Sequence, residues 1–276
     1  MRLRLNLSGM VVAALLLAVV VIPTFFLIII SFWRYADYDM TPALTLSNYA
    51  RLIEDDTYFS LLLQSVAVSA AAATAATALG GASAYAILRL PQPVRMPVLI
   101  ALAAPFLVGE VLRLVGLRGL LDPASAFAAA IHSWGYTYPS WLMFSDQATA
   151  LGIVQSWVTV PVILCYASLS NTLGRYEAIA ASLGARPGHI ISRILLPLNL
   201  PAVAASFVVV LIAGFTSALP ADALGGARGA NLPVAIGTVI KDTANWPFGA
   251  VLCLLLLLAS AASAFTLLRL VGRWAR

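Results

Sequence analysis

Residues 177–197 read EAIAASLGARPGHIISRILLP, a basic and partly amphipathic stretch set between two long apolar runs. Its first part, Arg175 to Leu183, is rich in alanine and forms a short helix. Gly184 ends that helix, because glycine enters the left-handed conformation of a helix cap without a side-chain penalty. Pro187 then suits the first turn of a second helix, where its missing N–H costs nothing. On that second helix Ile190, Ile191, Ile194 and Leu195 fall on one face, and His189, Ser192 and Arg193 on another. Pro197 is expected to stop it. The outcome is a helix–turn–helix in a loop from about Asn171 to Asn199. Its small residues Ala180, Gly184 and Ala185 allow close approach by another protein. A helix lying on lipid is the competing reading.

The apolar runs on either side recur along the chain. Hydrophobic residues make up 62% of the 276 and charged residues 10%, where a soluble domain carries about 25% charge. The polar residues cluster between runs of roughly 20 apolar residues, the length that crosses the hydrocarbon of a bilayer as a helix. Because these runs do not alternate, they predict helices rather than a barrel. The expected architecture is an all-α membrane protein with six transmembrane helices at about 10–33, 59–88, 96–117, 149–169, 200–219 and 248–270, forming one domain over 1–276. The first run is too long for the apolar core of a signal peptide and is read as a retained span. Cys165 and Cys253 lie inside apolar runs and read as small buried residues.

Charge orients the bundle. With the N-terminus inside, the cytoplasmic segments carry Arg2, Arg4, Arg89, Arg95, Arg175, Arg186, Arg193, Arg269, Arg273 and Arg276 against the single acid Glu177. The other side carries Arg34, Arg51, Arg118, Arg228 and Lys241 with nine acids. The basic bias places both termini in the cytoplasm. It also accounts for the pI of about 9.5, so nucleic acid is not an expected partner. Outside, residues 134–141 gather Trp134, Tyr136, Tyr138 and Trp141, read as an interfacial anchor for a short helix or a re-entrant turn, with stacking on a ligand as the alternative.

The chemistry that is missing narrows the function. Lys241 is the one lysine, and no phosphate-binding loop surrounds it, so the chain is not a P-loop ATPase. His132 and His189 fall on opposite sides of the membrane and share no metal. No catalytic constellation is present, and no metal site or cofactor is expected on this chain.

The loop then acquires a specific likeness. Gly184, nine residues, and Ile194-Leu195-Leu196-Pro197 resemble the cytoplasmic signature of ABC importer permease subunits, in which EAA is followed by three residues, Gly, nine residues and I-x-L-P. The first half departs: aligned on Gly184, the glutamate position holds Ala178, the next holds Ile179, only Ala180 matches, and Glu177 sits one place early. SFWRY (31–35), LTLSNYARLI (44–53), AYAILR (84–89), NWPFGAVL (245–252) and the pair Gly225-Gly226 are similar to permeases of the polyamine (spermidine/putrescine) type. The resemblance implies the type I (MetI-like) permease fold in a bacterial inner membrane. It also implies two ATPase subunits that use ATP and Mg, a second and different permease chain, a periplasmic binding protein, and a polyamine or related cation as solute. It implies further that Glu177, Ala180, Gly184, Ala185, Ile194, Leu196 and Pro197 form the loop that docks on the ATPase.

Glu110 and Arg113 interrupt the third span. A charge near a helix centre costs about 2.5–3.5 kcal/mol on insertion scales, so both face protein or a water-filled path. Three apart on a helix they can neutralise each other, or Glu110 can attract a cationic solute. Asp222, beside Gly225 and Gly226, is a second pathway candidate on the outer side, against a solvated loop acid. The rivals to a permease subunit are a stand-alone channel or secondary transporter, a membrane scaffold, and an importer for another solute such as an amino-acid derivative or opine.

Overall fold

The computed structural model describes residues 7–226 and 229–274; Arg2, Arg4, Arg228 and Arg276 of the charge balance lie outside the described residues. Leu7–Ser31 forms α1. A two-stranded antiparallel hairpin follows, β1 (Arg34–Ala36) with β2 (Asp39–Thr41). Next come α2 (Ser47–Glu54) and α3 (Asp56–Arg89). Then follow α4 (Gln92–Leu107), α5 (Glu110–Leu121) and α6 (Ala126–Ser133). The second half holds α7 (Asp146–Trp157), α8 (Thr159–Ser182), α9 (Pro187–Ile190), a π-turn at Ile191–Leu195, α10 (Leu196–Leu198), α11 (Leu200–Thr216), a second π-turn at Ala221–Gly225, α12 (Leu232–Thr243) and α13 (Trp246–Trp274). The chain is mostly helical, as its hydropathy requires. Three of its helical runs are long and apolar enough to cross a membrane: Asp56–Arg89, Glu110–Ser133 (α5 with α6) and Trp246–Leu267. Counting each bent pair as one span raises this to five.

The structure corrects four expectations. The third span is not one helix over 96–117, because α4 ends at Leu107, two residues after Pro105, and α5 begins only at Glu110. Glu110 therefore stands in the first turn of a helix, where the dipole favours an acid, rather than at a helix centre. The fourth span bends by 50° between α7 and α8. Pro161 has no N–H for the carbonyl of Trp157, which explains a kink at this point. Lastly, α8 continues to Ser182, so the expected short helix from Arg175 to Leu183 is the end of α8. Pro197 does not stop its helix either: α10 includes it, and the break falls at Asn199, where the axis turns by 68° into α11.

The chain divides into two compact units. One comprises the described residues up to Ser60 with Ala235–Leu258, the other Leu61–Val234 with the described residues from Ala259 onward. In the first, Asn48 donates from Nδ2 to the carbonyls of Ser31 (3.0 Å) and Trp33 (2.9 Å), two groups left unpaired at the end of α1. Ser31 Oγ meets Tyr49 OH at 2.6 Å, and the Phe32 and Tyr49 rings lie 5.2 Å apart. Phe248, fully buried, is capped by the Arg51 guanidinium at 4.4 Å and by the edge-on ring of Tyr58 at 5.0 Å. Asn245 Oδ1 accepts from Phe248 N (3.1 Å) and starts α13. The segments SFWRY, LTLSNYARLI and NWPFGAVL, far apart in sequence, thus hold one another.

In the second unit small residues line the contact of α3 with its neighbours. Ala72, Ala73 and Ala76 of α3 pack on Ile153 of α7 and on Val210 and Leu211 of α11. Small residues let helix backbones approach, which is how membrane helices gain packing energy without a hydrophobic driving force. Gly80 is the extreme case, since a Cβ there would lie 2.3 Å from Pro161 Cβ and 2.9 Å from the Pro161 and Val162 backbone.

Candidate functional site

The elbow at residues 183–199 is built on α8. Leu183 caps that helix and Gly184 adopts φ +78°. Gly184 N–H bonds the carbonyl of Ala181 and Ala185 N–H that of Ala180, both at 3.0 Å. This pair of bonds is a Schellman cap, and it satisfies the last carbonyls of α8. The glycine does what its place in the sequence predicts, and space is open where its Cβ would stand. Pro187 takes the first turn of α9 as expected. The apolar face is not the one that α-helical spacing predicts. In the π-turn Leu196 N–H reaches back five residues to Ile191 O, which makes room for the Pro197 ring. Five-residue spacing pairs Ile190 with Leu195 as the buried residues, at 4% and 3% exposure, and turns Ile191 outward to 42%.

Ile190 and Leu195 pack with Ala180, Leu169 and Leu173 of α8 and with Ala84 and Leu88 of α3, and Ala185 and Ile194 cover the edge. On the outer side Gly184, Ala185, Arg186, His189, Arg193 and Ile194 line a hollow of about 420 Å³. Behind the elbow, Ile191, Leu195 and Leu196 form the floor of an apolar groove of about 680 Å³ shared with α3, α8 and α11. Glu177 is engaged by Arg89 at 2.5 Å, and Arg89 also meets Tyr85 OH at 2.5 Å. Both partners are solvent-facing, so the ion pair contributes at most about 1 kcal/mol. Arg89→Gln is expected to leave the thermal unfolding midpoint of the purified protein within about 4 °C of the parent; a larger drop would show that the pair holds the fold.

Sequence reasoning missed Asn199. It is 3% exposed and closes the elbow. Its Nδ2 donates to Leu195 O (2.7 Å) and Thr172 Oγ1 (3.0 Å), and its Oδ1 accepts from Ser168 Oγ (2.6 Å). The available signal was an asparagine between Pro197 and Pro201, with Ser168 and Thr172 four apart on a single face of the preceding span.

The second site lies where the helices break. Arg113 donates from Nη1 to Ser156 O (3.1 Å) at the end of α7, and Gln155 Nε2 donates to Arg113 O (3.3 Å). Arg113 stands 5.5 Å from the Phe106 ring, which meets Trp157 edge-on at 5.9 Å. The expectation that Glu110 and Arg113 can neutralise each other fails, since they form no ion pair with each other. Instead Glu110 Oε1, Arg113 Nε, Gln155 Oε1, Ser156 Oγ and Trp157 Nε1 are buried without hydrogen-bond partners. Five such atoms on two facing breaks form a polar knot with unused capacity, and a group of this kind calls for a water, an ion or a function. Gln155 and Trp157 were not visible as site residues in the sequence. Asp222 is exposed on the second π-turn, and its carboxylate makes no hydrogen bond or ion pair among the described residues.

No family model matches the chain. It is 30% identical over 216 residues to the spermidine/putrescine transport system permease protein PotB of Salmonella typhimurium, covering 75% of this chain and 72% of that protein. PotB of Escherichia coli gives 30% over 216 residues, with 75% of each covered. Among solved structures, a chain of a bacterial alginate ABC transporter, crystallised with an alginate pentasaccharide-bound periplasmic protein, superposes with a TM-score of 0.79. That match has 12% identity and covers 98% of this chain and 95% of the other. A chain of the MetNI methionine ABC transporter gives 0.54 at 16% identity, over 80% of this chain and 100% of its own length. The structural neighbours share the fold and the PotB proteins share sequence across most of both chains, so this protein belongs to the family of ABC importer permease subunits that includes the spermidine/putrescine permeases.

Proposed function

We propose that the chain is one of two membrane-spanning subunits of an importer that carries a polyamine or a related small organic cation from periplasm to cytoplasm across a bacterial inner membrane. The solute class is carried by the 30% identity to spermidine/putrescine permeases over three quarters of the chain. We assign six crossings, to α1, α3, the pair α4–α5, α7–α8, α11 and α13, with both termini in the cytoplasm. The basic bias of the loops supports this, as does the contact of Arg89 with Glu177, two residues assigned to the same side. A second, different permease chain, two ATPase subunits and a periplasmic binding protein complete the machine. The periplasmic protein bound to the alginate transporter supports the last of these. ATP and Mg belong to the ATPase, and this chain binds no cofactor.

The elbow docks on the ATPase through Gly184, Ala185 and Ile194 at its outer hollow, while Ala180, Leu196 and Pro197 hold its shape and Glu177 is retained by Arg89. Closure of the ATPase pair displaces the elbow and with it α8 and α11. The unpartnered carboxylate oxygen of Glu110 and the unpartnered Gln155 Oε1 support a contact with a solute ammonium group at the helix breaks, the position where transporters expose backbone and charge to their cargo. Asp222 faces solvent at the outer end and serves the entrance.

Removing the charge at the breaks tests the pathway. In proteoliposomes holding the complete complex, Glu110→Gln is expected to raise the KM for radiolabelled spermidine by roughly tenfold, as loss of one ionic contact does. Unchanged affinity and rate would remove Glu110 from the path. A second reading rests on Arg113, whose uncommitted Nε adds an anion-binding donor to the same knot. It fits an amino-acid derivative or opine carrying both charges. Uptake of such a compound, with spermidine neither carried nor competing, would select it.

A further inference from the structure

We infer that Asn199 is a positioning residue: its side chain latches the elbow to α8, so that the elbow, α8 and α11 are displaced as one body. This rests on the docking reading above and goes beyond it. The elbow leaves α8 through the Schellman cap at Ala180–Ala185, packs back on it through Ile190 and Leu195, and is hydrogen-bonded to it again at Asn199. The return point is weak by covalent logic. A π-turn precedes it, and Pro197 and Pro201 stand on either side, so the local backbone lacks the N–H groups that would carry a continuous helix. The axis also turns by 68° there.

The Asn199 side chain replaces the missing continuity. It bonds Leu195 O at the end of the π-turn, and Ser168 and Thr172 one helical turn apart on α8. Its own backbone carbonyl receives Ala202 N and Val203 N at 3.0 and 3.1 Å, which starts α11. One buried amide thus joins three segments. Deeper in the unit α8 and α11 hold each other by packing and through Cys165 Sγ with Ser206 Oγ at 3.9 Å. Without the latch it is therefore the elbow that swings, about residue 199, while α8 and α11 stay together.

The test separates positioning from folding. Asn199→Leu keeps the volume but strands the hydroxyl of Ser168 and removes the donor to Thr172 Oγ1. The triple change Asn199→Leu, Ser168→Ala, Thr172→Val removes every side-chain partner and leaves Leu195 O the backbone N–H of residue 199, and replacing a whole polar set by apolar groups is close to neutral for stability. Both variants are to be assembled with the partner permease, ATPase and binding protein in proteoliposomes. Spin labels at Ser192 on the elbow and Thr216 at the far end of α11 are placed after Cys165 and Cys253 are changed to alanine. In the parent complex the label separation is expected to stay the same with and without ATP. In the triple variant it is expected to shift or broaden with ATP, and radiolabelled spermidine carried per ATP hydrolysed falls by roughly tenfold, within the usual range of a coupling free energy. A triple variant that folds, retains the ATPase and keeps the parent's separation in both states would overturn the latch. Loss of ATPase co-purification from a Gly184 variant concerns docking and leaves this outcome separate.

Discussion

Gly184→Asp is expected to reduce ATP-driven uptake by the reconstituted complex roughly a hundredfold or more, the effect of losing about 3 kcal/mol of docking free energy, while the subunit still inserts and folds. The structure explains why the two outcomes separate. The backbone at Gly184 is left-handed, which costs an L-residue roughly 1–2 kcal/mol but costs aspartate and asparagine less. Nothing lies within 4 Å of the position a Cβ would take, so no neighbour is displaced. The new carboxylate stands instead beside the hollow lined by Ala185 and Ile194, the surface proposed to dock on the ATPase. Gly184→Asn is the control: its backbone preference is similar and it carries no charge, and it is expected to keep a substantial part of the uptake. Co-purification of the ATPase with each variant, alongside uptake in proteoliposomes, checks the prediction. Parental uptake by the aspartate variant would remove the elbow from the docking surface.

Gly80→Ala is expected to act through the fold itself. The added methyl would meet Pro161 Cβ at 2.3 Å and two backbone atoms of α8 at 2.9 Å. Backbone atoms cannot rotate away, so α3 and α8 must separate, and overpacking of this kind costs about 1–3 kcal/mol. Valine at the same place is expected to prevent recovery of folded subunit altogether. The neighbouring Gly81→Ala has nothing within 4 Å and gains helix propensity, so it is expected to be neutral or to stabilise by about 0.5–1 kcal/mol. Thermal unfolding of the three detergent-purified variants separates these outcomes. Equal midpoints for Gly80→Ala and Gly81→Ala would contradict the close α3–α8 contact.

Much of the elbow was legible because its parts act locally. Gly184 caps α8 and Pro187 opens α9, roles that follow from allowed dihedrals and from a missing N–H, and neither needs a distant partner. The buried face was misjudged by one residue at Ile191, because α-helical spacing was assumed where Pro197 accompanies a π-turn. Glu110 and Arg113 were recognised as costly charges, but their spacing suggested a mutual pair, whereas the Arg113 guanidinium turns to the Ser156 carbonyl at the end of α7. Gln155, Trp157 and Asn199 carried no local signal strong enough to separate them from other polar residues in apolar runs.

Hydropathy by itself determined that this chain is a helical membrane protein, and loop charge predicted its orientation, because transfer into hydrocarbon is nearly a sum over residues. The glycine and prolines of 184–197 determined that an elbow exists. Only the tertiary structure decided where the spans break and which buried polar atoms lack partners. It also brought SFWRY, LTLSNYARLI and NWPFGAVL together around Asn48 and Phe248. These are properties of pairs: a hydrogen bond or a close backbone approach depends on what the rest of the chain places opposite, and no single stretch of sequence contains that information.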